Sequence, residues 1–297
     1  MKKLILWTLL LVPSVVMAQG IESSKQDLPV KWEELTSPDF ITAVERSAGT
    51  CVIPLGIIEK HGPHMPLGTD LIDVREITIR AAEEEYTIIF PPFYFGQIYE
   101  AMQQPGTVAY SPQTVLSVLQ ETCDEIHRNG IEKIILVSGH GGNNSLLPYF
   151  CQMQLEKQKD YAVFFFRPVD SEEYEDKLNR MRQTDWDEHA GETETSQMLA
   201  HRPDLVHLDK ANSQSGKDQQ RLESLSFAYT AIWWYAQFPN HYAGDGSYGT
   251  AEMGKLIMEN KVGQLVEMIR SVKSDQKTLE LQRQFYEDSK DPLKTDQ

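Results

Sequence analysis

The sequence predicts an α/β fold: one domain, three layers deep (α/β/α), with a mostly parallel central sheet flanked by helices. Two observations carry this. Short apolar runs rich in β-branched and aromatic residues recur along the chain, and segments of helical period lie between them in alternation. A third observation places the chemistry. Histidines and carboxylates follow directly on several of the apolar runs, where parallel sheets bind ligands at the carboxyl ends of their strands.

Cys51-Val-Ile-Pro-Leu-Gly56, Thr87-Ile-Ile-Phe90, Lys133-Ile-Ile-Leu-Val137 and Ala162-Val-Phe-Phe-Phe166 are the strand-like runs, each bounded by turn residues. They are apolar on both sides, as strands buried on both faces should be. Asp70 to Glu85 and Ser111 to Asn129 carry helical periodicity, the second opened by Ser111-Pro112 and closed by Gly130, which are start and stop signals for a helix. The expected domain runs from 36 to 273, after a polar leader at 19–35. The stretch 274–297 is polar and charged, a tail with at most a loosely docked helix.

Lys2 and Lys3 precede an apolar run from Leu4 to Met17, and Val16-Met-Ala18 has the small side chains of a cleavage site. Residues 1–18 therefore read as a signal peptide, and the mature chain as exported, periplasmic or secreted. The run is short for a bilayer, which needs about 20 apolar residues, so no membrane association is expected after cleavage. The formal net charge is −16, and it becomes −18 once Lys2 and Lys3 are removed. Such a surface repels polyanions, and no Lys/Arg cluster offers a footing for nucleic acid. Cys51, Cys123 and Cys151 have no Cys-x-x-Cys spacing and read as structural, although one pair could bridge in an oxidising compartment.

Glu59-Lys-His61-Gly-Pro-His64-Met-Pro-Leu-Gly-Thr-Asp70 packs two histidines and two carboxylates among turn-formers. Glu59 and His61 are two residues apart, so an extended backbone points both to one side, and the Gly-Pro turns can fold Asp70 back towards them. Imidazole nitrogen with carboxylate oxygen suits zinc first, with manganese or iron also served. Ser138-Gly-His140-Gly-Gly-Asn-Asn144 puts His140 at the end of the third strand, and the Lys and Ser/Thr of a phosphate-binding P-loop are missing there. Glu188-His189-Ala-Gly-Glu192-Thr-Glu194-Thr-Ser196 sets a histidine in an approach loop and Glu194 in a first helical turn, although Thr193, Glu194 and Ser196 are also helix-capping types.

Taken in order, these three stretches resemble the signature stretches of the creatininase (creatinine amidohydrolase) family. Gly244-Asp-Gly-Ser-Tyr-Gly-Thr-Ala-Glu-Met-Gly254 is similar to the family's Gly-rich turn into its last helix. The resemblance implies a helix-flanked sheet, two divalent metal ions, hydrolysis of non-peptide or cyclic amide C–N bonds, and a homo-oligomer, a ring-shaped hexamer in the family pattern. By position it makes Glu59, His61, Asp70 and His140 metal ligands and His189 the proton-transferring residue. The creatinine-hydrolysing members carry a Glu two residues after the His140 equivalent, where this chain has Gly142. Glu194 is therefore expected to complete the second site.

The expected function is a dinuclear metal-dependent amidohydrolase acting on a small-molecule amide of creatinine, lactam or formamide type. Two cations would lower the pKa of a shared water, and His189 would protonate the departing nitrogen, oriented by Glu188 or Glu192. Trp186, Trp233, Trp234 and Tyr235 are the aromatic residues nearest the motifs and the candidates for stacking on a flat substrate. Two rivals stand beside this reading. A metal-dependent phosphoesterase predicts Asp-x-His together with Gly-Asn-His; Asp187-Glu-His189 meets the first but no Gly-Asn-His follows, and a silent metal- or ligand-binding protein predicts decay among ligands that are all retained.

Overall fold

The computed structural model describes residues 28–294, so the expected signal peptide and most of the leader lie outside the described residues. Strands β1 (Thr50–Leu55), β2 (Ile88–Ile89), β3 (Lys133–Ser138) and β4 (Ala162–Phe165) form one sheet in the order β2-β1-β3-β4, every pair parallel. Parallel neighbours need long crossovers, and helices supply them. α2 (Thr69–Glu84) links β1 to β2, α3 (Pro112–Arg128) links β2 to β3, and α4 (Asn143–Met153) links β3 to β4.

Strand alternation divides the core between the two faces. Cys51, Ile53 and Leu55 of β1 join Ile134 and Leu136 of β3 against Leu119, Cys123 and Ile126 of α3 and Phe150 of α4. On the other face Val52, Ile135 and Val137 meet Val74 and Ile77 of α2 and Met258, Leu265, Val266 and Ile269 of the long helix α8 (Ala251–Ser274). α1 (Ser37–Arg46) closes the first layer, its start fixed by the Thr36 hydroxyl accepting from Asp39 N at 3.3 Å.

The sequence reading placed the strands and both helices to within a residue or two, apart from β2, which is limited to two residues. α3 begins as expected, with Ser111 Oγ accepting from Thr114 N, and the chain leaves it at Gly130 with φ +93°, a left-handed position that glycine adopts freely. Beyond β4 come α5 (Glu172–Met181), α6 (Glu192–His201), short 3-10 turns, and α7 (Trp233–Gln237). α6 lies against α8, with Gly254 at the crossing. After α8 the segment folds as α9 (Lys277–Asp288), where the buried Tyr286 hydroxyl donates to the carbonyls of Gln154 and Lys157. Among the described residues no helix is long and apolar enough to cross a membrane.

Register positions the site. Leu55 pairs with Ser138, so the loops leaving β1 and β3 emerge side by side from the same sheet edge. One loop carries Glu59, His61 and Asp70; the other carries His140.

Candidate metal centre

Glu59, His61, Asp70, His140 and Glu194 come together beyond this edge. Asp70 sits in the first turn of α2 and Glu194 in the first turn of α6, both helix starts where the dipole favours a carboxylate. His61 Nε2 lies 2.9 Å from Asp70 Oδ1, 4.0 Å from Glu59 Oε1 and 3.9 Å from Glu194 Oε2. His140 Nδ1 lies 2.9 Å from Glu59 Oε1 and 3.2 Å from Asp70 Oδ2. Two overlapping donor sets follow, Glu59–Asp70–His140 and His61–Asp70–Glu194, and Asp70 belongs to both. Asp70 is thus the carboxylate that the two sets share.

The histidines are oriented from behind. His140 Nε2–H donates to Gln97 O at 2.8 Å, His61 Nδ1–H to Glu59 O at 3.3 Å, and His189 Nε2–H to Lys60 O at 2.8 Å. Each ring therefore spends one N–H on a backbone carbonyl and presents its other nitrogen to the carboxylates, the arrangement in which an imidazole binds a metal. Glu59 and His61 have no exposed surface, and Glu59 Oε1 and Asp70 Oδ2 are buried without a hydrogen-bond partner. Buried carboxylate oxygens left bare are costly, and a cation is the partner that suits them. These residues fit a pair of divalent ions.

The electrostatics agree. Burial alone would lower the His61 pKa, but Asp70, Glu59 and Glu194 outweigh it and raise it to about 10. Burial opposes charge on His140 too, and Glu59 and Asp70 prevail, holding it well above the ordinary value. Burial would push Glu59 up, yet positive charge on His140 and His189 and the bond from His241 hold it well below the usual carboxylate range. The cluster favours positive charge between its oxygens, carried by protons or by a cation that displaces them.

His189 joins the cluster at its edge. Its Nδ1 is 3.8 Å from Glu194 Oε2, its Nε2 4.0 Å from Glu59 Oε2, and its ring packs on His61 at 4.5 Å between centroids. With Glu59 and His61 it forms a third possible donor set. Neither acid proposed to orient it does so. Glu192 is buried facing away and accepts from Gln183 N, Thr184 N and the Thr184 hydroxyl, while Glu188 lies at the surface; the orienting group is the Lys60 carbonyl, which sequence spacing does not reveal. Glu194 does not cap α6: it accepts from Ala190 N at 2.6 Å, ahead of the helix, and faces His61, while the first-turn Thr193 N donates to Asp187 Oδ2 at 2.7 Å.

A cavity of about 800 Å³ opens onto the centre and is lined by His140, His189, Glu194, Trp233, Trp234 and Tyr229, among others. Trp186 instead stacks on Phe238, and Tyr235 carries the Arg221 guanidinium over its ring. A second cavity, about 440 Å³, reaches Asp70, His140 and Glu194 from the side of Arg167 and Lys261. The residue that sequence reasoning missed is His241. It is buried, its Nε2 lies 2.5 Å from Glu59 Oε2, and no motif marks it.

The sequence pattern of the creatininase family, described as creatinine amidohydrolase, matches residues 33–269. The chain belongs to the creatininase family. It is 29% identical over 195 residues to a creatinine amidohydrolase of Pseudomonas putida, covering 60% of this chain and 74% of that protein. It is 26% identical over 228 residues to a mycofactocin precursor peptide peptidase of Mycobacterium ulcerans, covering 73% and 83%. A solved creatinine amidohydrolase (creatininase) superposes with a TM-score of 0.72 at 22% identity over 83% of this chain and 99% of the other, which shows the shared fold. Solved creatininases of the same fold are described in a manganese form and a Zn–Zn form. A Cβ on Gly142 would lie 2.4 Å from His140 Nε2 and 2.6 Å from Gln97 Oε1, so a side chain there would have to displace one or both of these side chains.

Proposed function

We propose that this creatininase-family chain is a dinuclear metal-dependent amidohydrolase that cleaves a non-peptide or cyclic amide C–N bond of a small molecule. One observation carries the proposal: histidines tied from behind by backbone carbonyls present their free nitrogens to buried carboxylates whose oxygens Glu59 Oε1 and Asp70 Oδ2 are bare. Glu59, Asp70 and His140 would hold one ion, and His61, Asp70 and Glu194 the other. When bound, such ions lower the pKa of water towards neutrality and polarise a carbonyl. Zinc suits this mixed donor set, as do manganese and iron.

The chain's own residues would do the rest. His189 keeps its Nε2 proton on Lys60 O, so Nδ1 is the atom that can hold a proton and deliver it to the departing nitrogen. The aromatic wall of Trp233 and Tyr229 gives a flat substrate a surface to lie on, and the 800 Å³ cavity is of small-molecule size. Gly142, which stands where the creatinine-hydrolysing members carry a Glu, favours an amide other than creatinine. Export after removal of residues 1–18 and assembly into a homo-oligomer complete the proposal.

Metal analysis of the purified chain, followed by turnover on a panel of small amides, lactams and formamides, tests it. His140→Ala is expected to lose most bound metal. His189→Ala is expected to keep its metal and lose about 10²–10⁴-fold in kcat, the usual contribution of a general acid. Unchanged metal content in the first, or near-full rate in the second, would overturn the corresponding role.

A further inference from the structure

His241 stands at a place where the backbone is costly for its residue type. Its φ is +55°, in the left-handed region that non-glycine residues rarely adopt, and such strain persists where surroundings over-determine it. Three contacts do so here. Its N–H donates to Phe238 O, the Trp234 indole meets its ring nitrogen, and the carbonyl of the preceding Asn240 accepts from Lys60 Nζ, the residue next to Glu59.

The polarity of this chain of bonds is forced. An indole nitrogen can only donate, so Trp234 Nε1–H donates to His241 Nδ1 at 2.7 Å, and the His241 proton must sit on Nε2. Nε2–H then donates to Glu59 Oε2 at 2.5 Å. One oxygen of Glu59 is thereby occupied, while the other, Oε1, is bare and faces His140 Nδ1 at 2.9 Å. The bond joins residues 182 positions apart, and among the described residues His241 makes these two side-chain hydrogen bonds and no other.

We propose that His241, locked in one tautomer by Trp234, is the positioning residue for Glu59. It holds Oε2 so that the carboxylate presents only Oε1 to a divalent cation. The same pair packs beside the His189 ring, with His241 at 4.4 Å and Trp234 at 6.1 Å between centroids. The inference rests on the metal-hydrolase reading for its consequence and on geometry for its wiring, and the two are tested separately.

Imidazole proton–nitrogen correlation spectra of the purified chain read the wiring. In the wild type His241, identified by the signals lost in His241→Leu, should be protonated at Nε2 alone, as His140 and His189 should be too, and Trp234→Phe, which removes the indole donor to Nδ1, should give His241 a mixed tautomer. A wild-type His241 protonated at Nδ1 overturns the proposal. Competition against a chelating dye, with Zn²⁺ and Mn²⁺ as probes, reads the consequence. His241→Leu should weaken binding by about 10–100-fold, as loss of a residue behind a metal ligand does, and Trp234→Phe by less. His241→Gln, whose amide N–H can reach Glu59, should restore most of the affinity. Equal affinity in His241→Leu, with an unchanged unfolding temperature, overturns the positioning role. A wild-type chain that takes up neither ion sinks the metal-hydrolase reading, and with it the positioning of a metal ligand, while the spectra still decide the wiring.

Discussion

Two adjacent glycines make opposite demands at the residue scale. A side chain on Gly141 meets nothing within 4 Å, whereas one on Gly142 runs into His140 Nε2 and Gln97 Oε1. His140 Nε2 is the nitrogen that donates to Gln97 O, so crowding it turns the ring and misdirects Nδ1. Gly142→Ala is therefore expected to weaken metal binding about tenfold or more, while Gly141→Ala stays near the wild type, as metal competition will show.

Helices α6 and α8 decide how Glu194 is held. A Cβ on Gly254 of α8 would lie 1.8 Å from Ser196 O on α6, a backbone atom that cannot turn aside. Ser196 Oγ in turn accepts from Thr250 N, so the start of α8 is hung on α6. Gly254→Ala should force the helices apart and destabilise the protein by about 1–3 kcal/mol, read from chemical denaturation. Metal affinity should fall with it, because α6 carries Glu194. Strands and the two predicted helices were legible because apolar runs and cap residues are local signals: Ser111 and Gly130 bound α3 as their types suggest. The α6–α8 crossing was not, since a glycine inside a helix says only that something comes close.

For the whole molecule, the cluster links pH, metal and stability. The folded His61 pKa of about 10 lies above its ordinary 6.5, as does that of His140 by direction. A raised pKa contributes stability that is fully present below about 6.5 and lost as pH rises through about 10. The chelator-treated protein should thus lose unfolding temperature between these values from this source. Over the same range cations meet less competition from protons, so the increment in unfolding temperature produced by Zn²⁺ should grow. Melting curves with and without chelator at several pH values check both slopes. An increment that shrinks with pH would mean the metal does not displace these protons.

The sequence by itself determined the layered α/β fold and which side chains gather at one sheet edge. Apolar period sets the strands, and parallel strands in register deliver the residues that follow them to one place, as Glu59, His61 and His140 are delivered. Tertiary structure alone decided how those side chains are aimed. The Lys60 carbonyl behind His189, the Gln97 carbonyl behind His140 and His241 behind Glu59 are all contacts between segments distant in the chain. Hydrogen bonds of that kind depend on where loops meet in space, and no local spacing records it.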